Sequence, residues 1–556
     1  MSLAYAPAAK LIDTFVTDHV IRRIWDRDVS VWGAGPGTAD AKSIQTRLGW
    51  LDVGKTMAPE LPRVRHLAEQ SAARKIDAVY LLGMGGSSLC AEVMRTVLGI
   101  GPNHADIYVL DTTDERTIAG AAAQLDPEHA LFLVASKSGG TVEVASLEKF
   151  FWSRMTQAIG SEAGRHFVAI TDPGTALQRL AESRGYLETF VNPADIGGRF
   201  SALSLFGLVP CALIGADAGE LHEAGMAMAE GCRQENHTNA GLELGAFIAA
   251  AALAGRDKLT VALPASLASL GLWIEQLIAE STGKHGKGAL PVVDEPLGRP
   301  DVYGNDRAFV AIATDRDEPD DTRLAALEAA GHPVLRLSTR IDALGAEFFR
   351  WEFATAVAGV GLGINPFDEP NVAEAKEKTK ALLGAYANTT RLPEPEPRAS
   401  SGSISAYTPS FEGATPAAIV KAAIDSLRPG DYTAVLSYLP ATEDVEMRVA
   451  EIRQGIRRKR HTASTFGVGP RYLHSTGQYH KGGPNKALAF VITGDDETTT
   501  EIPEAGYSFS ILKRAQALGD TETLAAHDRR VVRLHVHGTP KSAIESVEAV
   551  FAAALT

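Results

Sequence analysis

From about Ile76 onward the chain alternates short apolar runs with longer amphipathic ones, DAVYLLG, HALFLVAS, HFVAITD and LETFVN each being separated by a stretch of helical periodicity. A strand–helix–strand repeat of this kind closes as a parallel sheet with helices on both faces, so the pattern predicts an α/β fold. A second block of the same grammar follows in DKLTVALP, RAFVAIATD and HPVLRLS, with helices expected over Ala265–Glu280 and Phe348–Gly361. After Lys380 the stretch NTTRLPEPEPRASSGSIS is rich enough in Pro and polar residues to read as a linker. Beyond it, YTAVLSYLP, ALAFVITGD and RRVVRLHVHG with helices over Asp444–Arg457 and Ser542–Ala554 predict a third, smaller α/β block. The expected layout is a helical cap over 1–70, α/β blocks over 71–235 and 236–387, a linker over 388–412 and a C-terminal α/β extension over 413–556.

Several function classes are disfavoured by composition. The net charge of −14 argues against a general nucleic-acid binder, which needs Lys and Arg to neutralise phosphates, so any anionic ligand must be held by a local site. The longest apolar stretches, around Leu203–Ala216 and Gly245–Gly255, are shorter than the roughly 20 residues that cross a bilayer. The N-terminal MSLAYAPAAKLIDTFVTDHVIRRIW is charged throughout and has no export signal, so a cytoplasmic protein is expected. Cys90, Cys211 and Cys232 lie in apolar, helix-like sequence without metal-ligand spacing, which predicts buried free thiols.

Chemistry concentrates where strands run into helices. Gly83-Met84-Gly85-Gly86-Ser87-Ser88 follows a strand and opens a helix, so glycines admit an anion to the backbone and unpaired N–H groups and a hydroxyl meet it. A dinucleotide fold is the rival, since Gly83-x-Gly85 begins that fingerprint and Asp111 ends the next strand, but Ser88 stands where the third glycine belongs. A structural tight turn fits the same residues. Ser136-Lys137-Ser138-Gly139-Gly140-Thr141 packs three hydroxyls and a lysine around two glycines, again at a strand end, and suits a phosphate dianion, with plain helix capping as its alternative.

Arg199, on the glycine turn Asp195–Ser201, carries a charge that cannot be titrated away and suits an enediolate oxygen, or else a structural ion pair. Gln276 and Glu280 lie one helical turn apart at the end of an apolar helix, where desolvation would raise the carboxyl pKa toward base chemistry; a solvated helix-end glutamate is the plain reading. The basic run Arg457–His461 reads as a solvated helix end or a phosphate-facing patch.

In this order, GMGGSSL, SKSGGT, DIGGRFS, EQLIAESTGK and NPFDEPNVAEAK resemble glucose-6-phosphate isomerases, and in particular the isomerase half of transaldolase/glucose-6-phosphate isomerase fusions. No eight-fold βα barrel precedes them, so isomerase activity alone is expected. The resemblance implies two sugar-isomerase α/β/α sandwich domains with parallel sheets, and a small-molecule sugar phosphate as substrate. It implies a phosphate held by Gly86, Ser87, Ser136, Lys137, Ser138 and Thr141, with Gln276 also binding substrate. Glu280 falls where the family's proton-shuttling glutamate lies, Arg199 beside the reacting carbons, and Lys376 on the active-site lysine.

There are two departures. Glu369 stands where glutamine is usual, which puts a negative charge near the phosphate. The ring-opening histidine, normally about twenty residues after the glutamate in an LHSxGQ stretch, has no counterpart in ALPVVDEPLGRPDVYGNDR. That stretch occurs instead as Leu473–Gln478 in the C-terminal block, so His474 is expected to supply the function from outside the core, against a surface histidine or His285 in that role. The reaction needs one carboxylate, a cation and exclusion of water, and neither a metal nor another cofactor is expected. Family members are commonly dimers that share histidines, so a homodimer is an expected assembly, relaxed if His474 acts within one chain. A non-catalytic phosphosugar sensor is a further alternative, which would need neither Glu280 nor Lys376.

Overall fold

The computed structural model describes residues 5–556. Three sheets organise it. The first contains β1 (Ala78–Gly83), β2 (Asp106–Leu110), β3 (Ala130–Ala135), β4 (Phe167–Thr171) and β5 (Glu188–Val191) in the order β2-β1-β3-β4-β5, all parallel. The second contains β6 (Lys258–Ala262), β7 (Leu290–Val292), β8 (Arg307–Ala313) and β9 (Val334–Ser338) in the order β7-β6-β8-β9, also parallel. The short apolar runs are these strands, and β3, β4 and β6 are buried along their whole length, as a sheet covered on both faces requires. The α/β fold with parallel sheets is therefore the fold the chain adopts. Before Ala78 the described residues form helices and 3-10 turns that share a core with the first block and add a β-bridge between Leu48 and Ile196.

The third sheet has the order β10-β11-β15-β14-β12-β13, from β10 (Ala399–Ser401), β11 (Ile404–Tyr407), β12 (Tyr432–Ser437), β13 (Ala463–Val468), β14 (Ala487–Gly494) and β15 (Arg530–Val536). Its last four strands are parallel, while β10 and β11 form a hairpin added antiparallel to β15. The stretch expected to be a linker thus contains two strands. Its Pro and Ser content hides a short alternation in Ile404-Ser405-Ala406, whose Ile404 and Ala406 enter the core of the third block.

This third block is not an appendage. One face of the first sheet, built on stacked Tyr80, Phe132, Phe151 and Phe167, is continued by Ile502, Phe509 and Leu512. A second shared core joins Ala279, Leu290 and Val292 to Tyr432, Tyr472 and Tyr479. Burying several large aromatic rings in each seam, at roughly 1.5–3 kcal/mol per side chain, fixes the third block against both others. All three cysteines are buried and free, and burial pushes each thiol up to about 12, as expected of inert core residues. No helix among the described residues is long and apolar enough to cross a membrane.

Candidate active site

The two hydroxyl loops, the arginine turn, the glutamate helix and the C-terminal block converge at the carboxyl edge of the first sheet. A Cβ on Gly86 would collide with the Gly198 carbonyl, so the first loop and the Asp195–Ser201 turn meet backbone to backbone, which only glycine permits. That contact sets Arg199 in place. Its Nε donates to Ser281 Oγ (2.7 Å), its NH2 to the carbonyls of Pro366 and Asp368 (2.8 Å each), and its NH1 faces Glu369 Oε2 (3.1 Å) and Glu280 Oε1 (3.4 Å). The planar fork of a guanidinium is what allows one cation to serve five residues in two chain segments.

Glu280 lies in the last turn of the helix Leu270–Thr282, with its side chain 10% exposed. Burial raises its pKa, Arg199 opposes that, and Glu369 adds to it; the net direction is upward. Gln276 Nε2 donates to Glu280 Oε2 (3.0 Å) and to the His474 carbonyl (2.8 Å), so the glutamate is coupled directly to the LHSTGQ segment. Gln276 Oε1 has no hydrogen-bond partner among the described residues.

His474 reaches this site from 198 residues beyond Gln276 in sequence. Its Nε2 lies 2.9 Å from Glu143 Oε1, which also accepts from Gln516 Nε2 (2.7 Å). Burial works to raise the Glu143 pKa, but His474 and Lys376 outweigh it and hold the carboxyl below its ordinary range. Gln478 of the same segment donates to the Gly283 carbonyl and to Asn371 Oδ1, both at 2.9 Å, and so ties the ESTGK and NPFDEPN loops together. A Cβ on Gly283 would strike Tyr479, which is why that loop can pack so closely. His285, the alternative, is exposed in the Lys284–Lys287 turn and lines no part of the cleft described next.

The cleft, about 410 Å³, is walled by Ser138, Thr141, Glu143, Lys376, Lys380 and His474, with Tyr507 at its edge. Of the residues expected to bind phosphate, Ser138 and Thr141 line it directly. Ser136 is buried with its Oγ 3.1 Å from Thr141 Oγ1, and Ser87 is buried in the 3-10 turn Gly85–Ser87 away from the wall. Lys137 does not join them. It is paired with Asp172 and donates to the Ala194 carbonyl (2.9 Å), because the strand-end turn carries its side chain toward β4 rather than the cleft. Lys380, one helical turn after Lys376, is the cation that takes its place on the wall.

Glu369 is neutralised rather than placed against an anion. Arg47 (3.4 Å) and Arg199 hold its carboxyl below the usual range despite burial. The variant Glu369→Gln should therefore retain activity within about tenfold, because the neutral amide can still meet Arg199. It removes one influence that raises Glu280, so the acidic limb of the kcat/KM profile should move to lower pH; an upward move would contradict this arrangement.

Other sequence readings change in the structure. Asp111, the residue a dinucleotide ribose would need, is buried and paired with Arg471 at 2.8 Å. The basic run ends its helix with Arg458 and His461 exposed, while its other members are tied to backbone: Arg457 donates to the Pro296 carbonyl (2.9 Å), Lys459 to the Leu555 carbonyl (2.7 Å) and Arg460 to the Asp425 carbonyl (3.1 Å). Glu143, Gln516 and Arg47 were not legible as site residues. Glu143 stands in a helix first turn, where acids are common for the helix dipole alone.

The phosphoglucose isomerase family model matches residues 64–298. The chain is 30% identical over 441 residues to the glucose-6-phosphate isomerase of Heliobacterium modesticaldum, spanning 69% of this chain and 95% of that protein. It belongs to the glucose-6-phosphate isomerase family. The chain is accordingly an aldose–ketose isomerase. The enzyme of the same name from Carboxydothermus hydrogenoformans is 28% identical over 401 residues, covering 60% and 85% of the two chains. In fold, the chain is similar to a glucose-6-phosphate isomerase structure from Chlamydia trachomatis (TM-score 0.52, 21% identity, 66% and 79% covered) and to a hypothetical protein from Thermus thermophilus (TM-score 0.58, 23% identity, 67% and 97% covered).

Proposed function

We propose that this isomerase interconverts glucose 6-phosphate and fructose 6-phosphate through a cis-enediolate, with Glu280 carrying the proton between C1 and C2. The observation that carries the reading is a desolvated carboxylate held between an arginine and a glutamine amide behind a cleft lined with hydroxyls and lysines. The phosphate sits at the N-terminus of the helix Val142–Ile159, against Ser138 and Thr141 and under Lys376 and Lys380, where unpaired N–H groups and two cations favour a dianion. Ser136 supports Thr141 from beneath. Gly86 sets the loop geometry, and Ser87 and Lys137 contribute through that geometry rather than by touching substrate.

Glu143 fixes the His474 imidazole, so that the ring and Lys376 act as the acid–base pair for ring opening. Glu280 then removes the C2 proton of the open aldose while Arg199 stabilises the oxygen on which charge develops; the O2 hydroxyl proton passes to O1 within the cis-enediolate, and the same carboxyl returns its proton to C1, leaving the C2 carbonyl. The free Gln276 Oε1 is available to accept a sugar hydroxyl. The histidine is supplied in cis, which lets one chain complete a site; a homodimer remains the assembly expected from the resemblance. The position of LHSTGQ after NPFDEPNVAEAK supports the likeness to the isomerase half of the transaldolase fusions, and three buried free thiols fit a reducing cytoplasm.

A coupled assay from fructose 6-phosphate to glucose 6-phosphate tests the activity directly, and no turnover would end the proposal. His474→Ala is expected to reduce turnover of the cyclic sugar by about 10²-fold and to cost markedly less with an acyclic analogue. Equal losses on the two substrates would take His474 out of ring opening.

A further inference from the structure

A cluster at the carboxyl edge of the third sheet has no part in the isomerase site. There β14 and β15 run parallel with Thr493 opposite His535 and Gly494 opposite Val536. Side chains two apart on a strand share a face, so His535 and His537 project together, and Asp495, the first residue past β14, stands beside them. His535 Nε2 lies 3.1 Å from Asp495 Oδ1 and His537 Nδ1 3.2 Å from Asp495 Oδ2. One ligand atom from each residue lies within 4.8 Å of the other two. The geometry points to a binding site for a divalent cation of the zinc class, held by Asp495, His535 and His537.

The surroundings orient His535 for such a role. Its Nδ1 lies 3.0 Å from the Thr493 hydroxyl, which turns Nε2 toward Asp495 Oδ1, and an outer contact of this kind fixes the ring of a metal-binding imidazole. His537, exposed at the strand end, approaches the other oxygen of the same carboxylate.

The spacing also fits. A tetrahedral ion with bonds of about 2.0–2.2 Å sets neighbouring donor atoms roughly 3.3 Å apart; each histidine already lies 3.1–3.2 Å from one Asp495 oxygen, and one donor atom from each of the three residues falls within 4.8 Å of the others. Two imidazoles and one carboxylate, without thiolates, suit zinc and its neighbours better than magnesium or calcium, which prefer all-oxygen sets. Asp495 and His535 also border a cavity of about 370 Å³, leaving room for water in a fourth position. The His537 amide donates to the Ser403 carbonyl (2.8 Å), so a bound ion would pin the ends of β14 and β15 to the loop between β10 and β11.

The full-length protein, stripped with a chelator and titrated with zinc chloride by calorimetry, is expected to bind one ion per chain at this site. His537→Ala and Asp495→Asn, both at the strand ends and outside the isomerase machinery, should each weaken that binding at least tenfold while leaving isomerase turnover unchanged. Thr493→Val keeps all three ligands and should still lose roughly 10–100-fold in affinity, because it removes the contact that orients the His535 ring. Melting temperatures of the chelated proteins, equal in wild type and variants, would establish that the variants fold, and added zinc should raise only that of the wild type. No binding by the wild type would overturn the assignment. So would undiminished binding in His537→Ala and Asp495→Asn, or full affinity in Thr493→Val.

Discussion

Glu280→Gln is expected to lower kcat roughly 10³-fold with KM changed no more than a few-fold, toward the upper end of what a positioned acid–base group supplies. The amide is isosteric and can still accept from Gln276, so the local packing and the cleft wall survive while the proton acceptor is lost. Steady-state kinetics in both directions, with exchange of the C2 proton into solvent measured in parallel, checks it. Loss of turnover and of exchange together identifies the base, whereas turnover within tenfold of wild type would assign proton transfer to another group. Burial gives the native carboxyl its raised pKa, so the wild-type kcat/KM profile should fall on its acidic side at a pH above that of an ordinary glutamate.

Arg199→Ala should have the next largest effect, and on two observables. Turnover should fall about 10²–10³-fold, the usual consequence of removing one preorganised group beside a developing oxyanion. Stability should fall by about 3–5 kcal/mol, because Glu280 is left as a buried carboxylate without its cation and Glu369 retains only Arg47. The direction on pH follows from the same charges. Arg199 lowers the Glu280 pKa, so its removal raises that pKa, and the base becomes ionised only at higher pH. The acidic limb of kcat/KM should therefore move upward, opposite to the shift expected for Glu369→Gln. Arg199→Lys separates the two roles: it keeps the charge and most of the pH profile, but one ammonium cannot also reach Ser281, Pro366 and Asp368. A downward shift in Arg199→Ala would mean that Glu280 is not the titrating base.

Local pattern explains much of what could be read in advance. β1, β3, β4, β6, β8 and β9 were visible as apolar runs, and β13 and β7 were not, since Ala463–Val468 mixes Ser, Thr and Gly and Leu290–Val292 is only three residues long. The hydroxyl loops announced themselves because a glycine-rich turn between a strand and a helix is a local arrangement. Lys137 shows the complementary case: its position in that loop is local, but the direction of its side chain is set by Asp172 on the neighbouring strand end.

By itself, then, the sequence determined the α/β grammar, the parallel sheets and the loops at their carboxyl edge, since each depends on residues within a few turns of one another and on burial that alternates with a short period. Only the tertiary structure decided that His474 meets Glu143 across 331 residues, that Glu369 is held by Arg47 and Arg199, and that the third block closes the site as part of the core. Such contacts are fixed by which faces pack together. A carboxylate, an imidazole and a guanidinium carry no mark in the chain of the distant partner whose burial makes their pairing necessary.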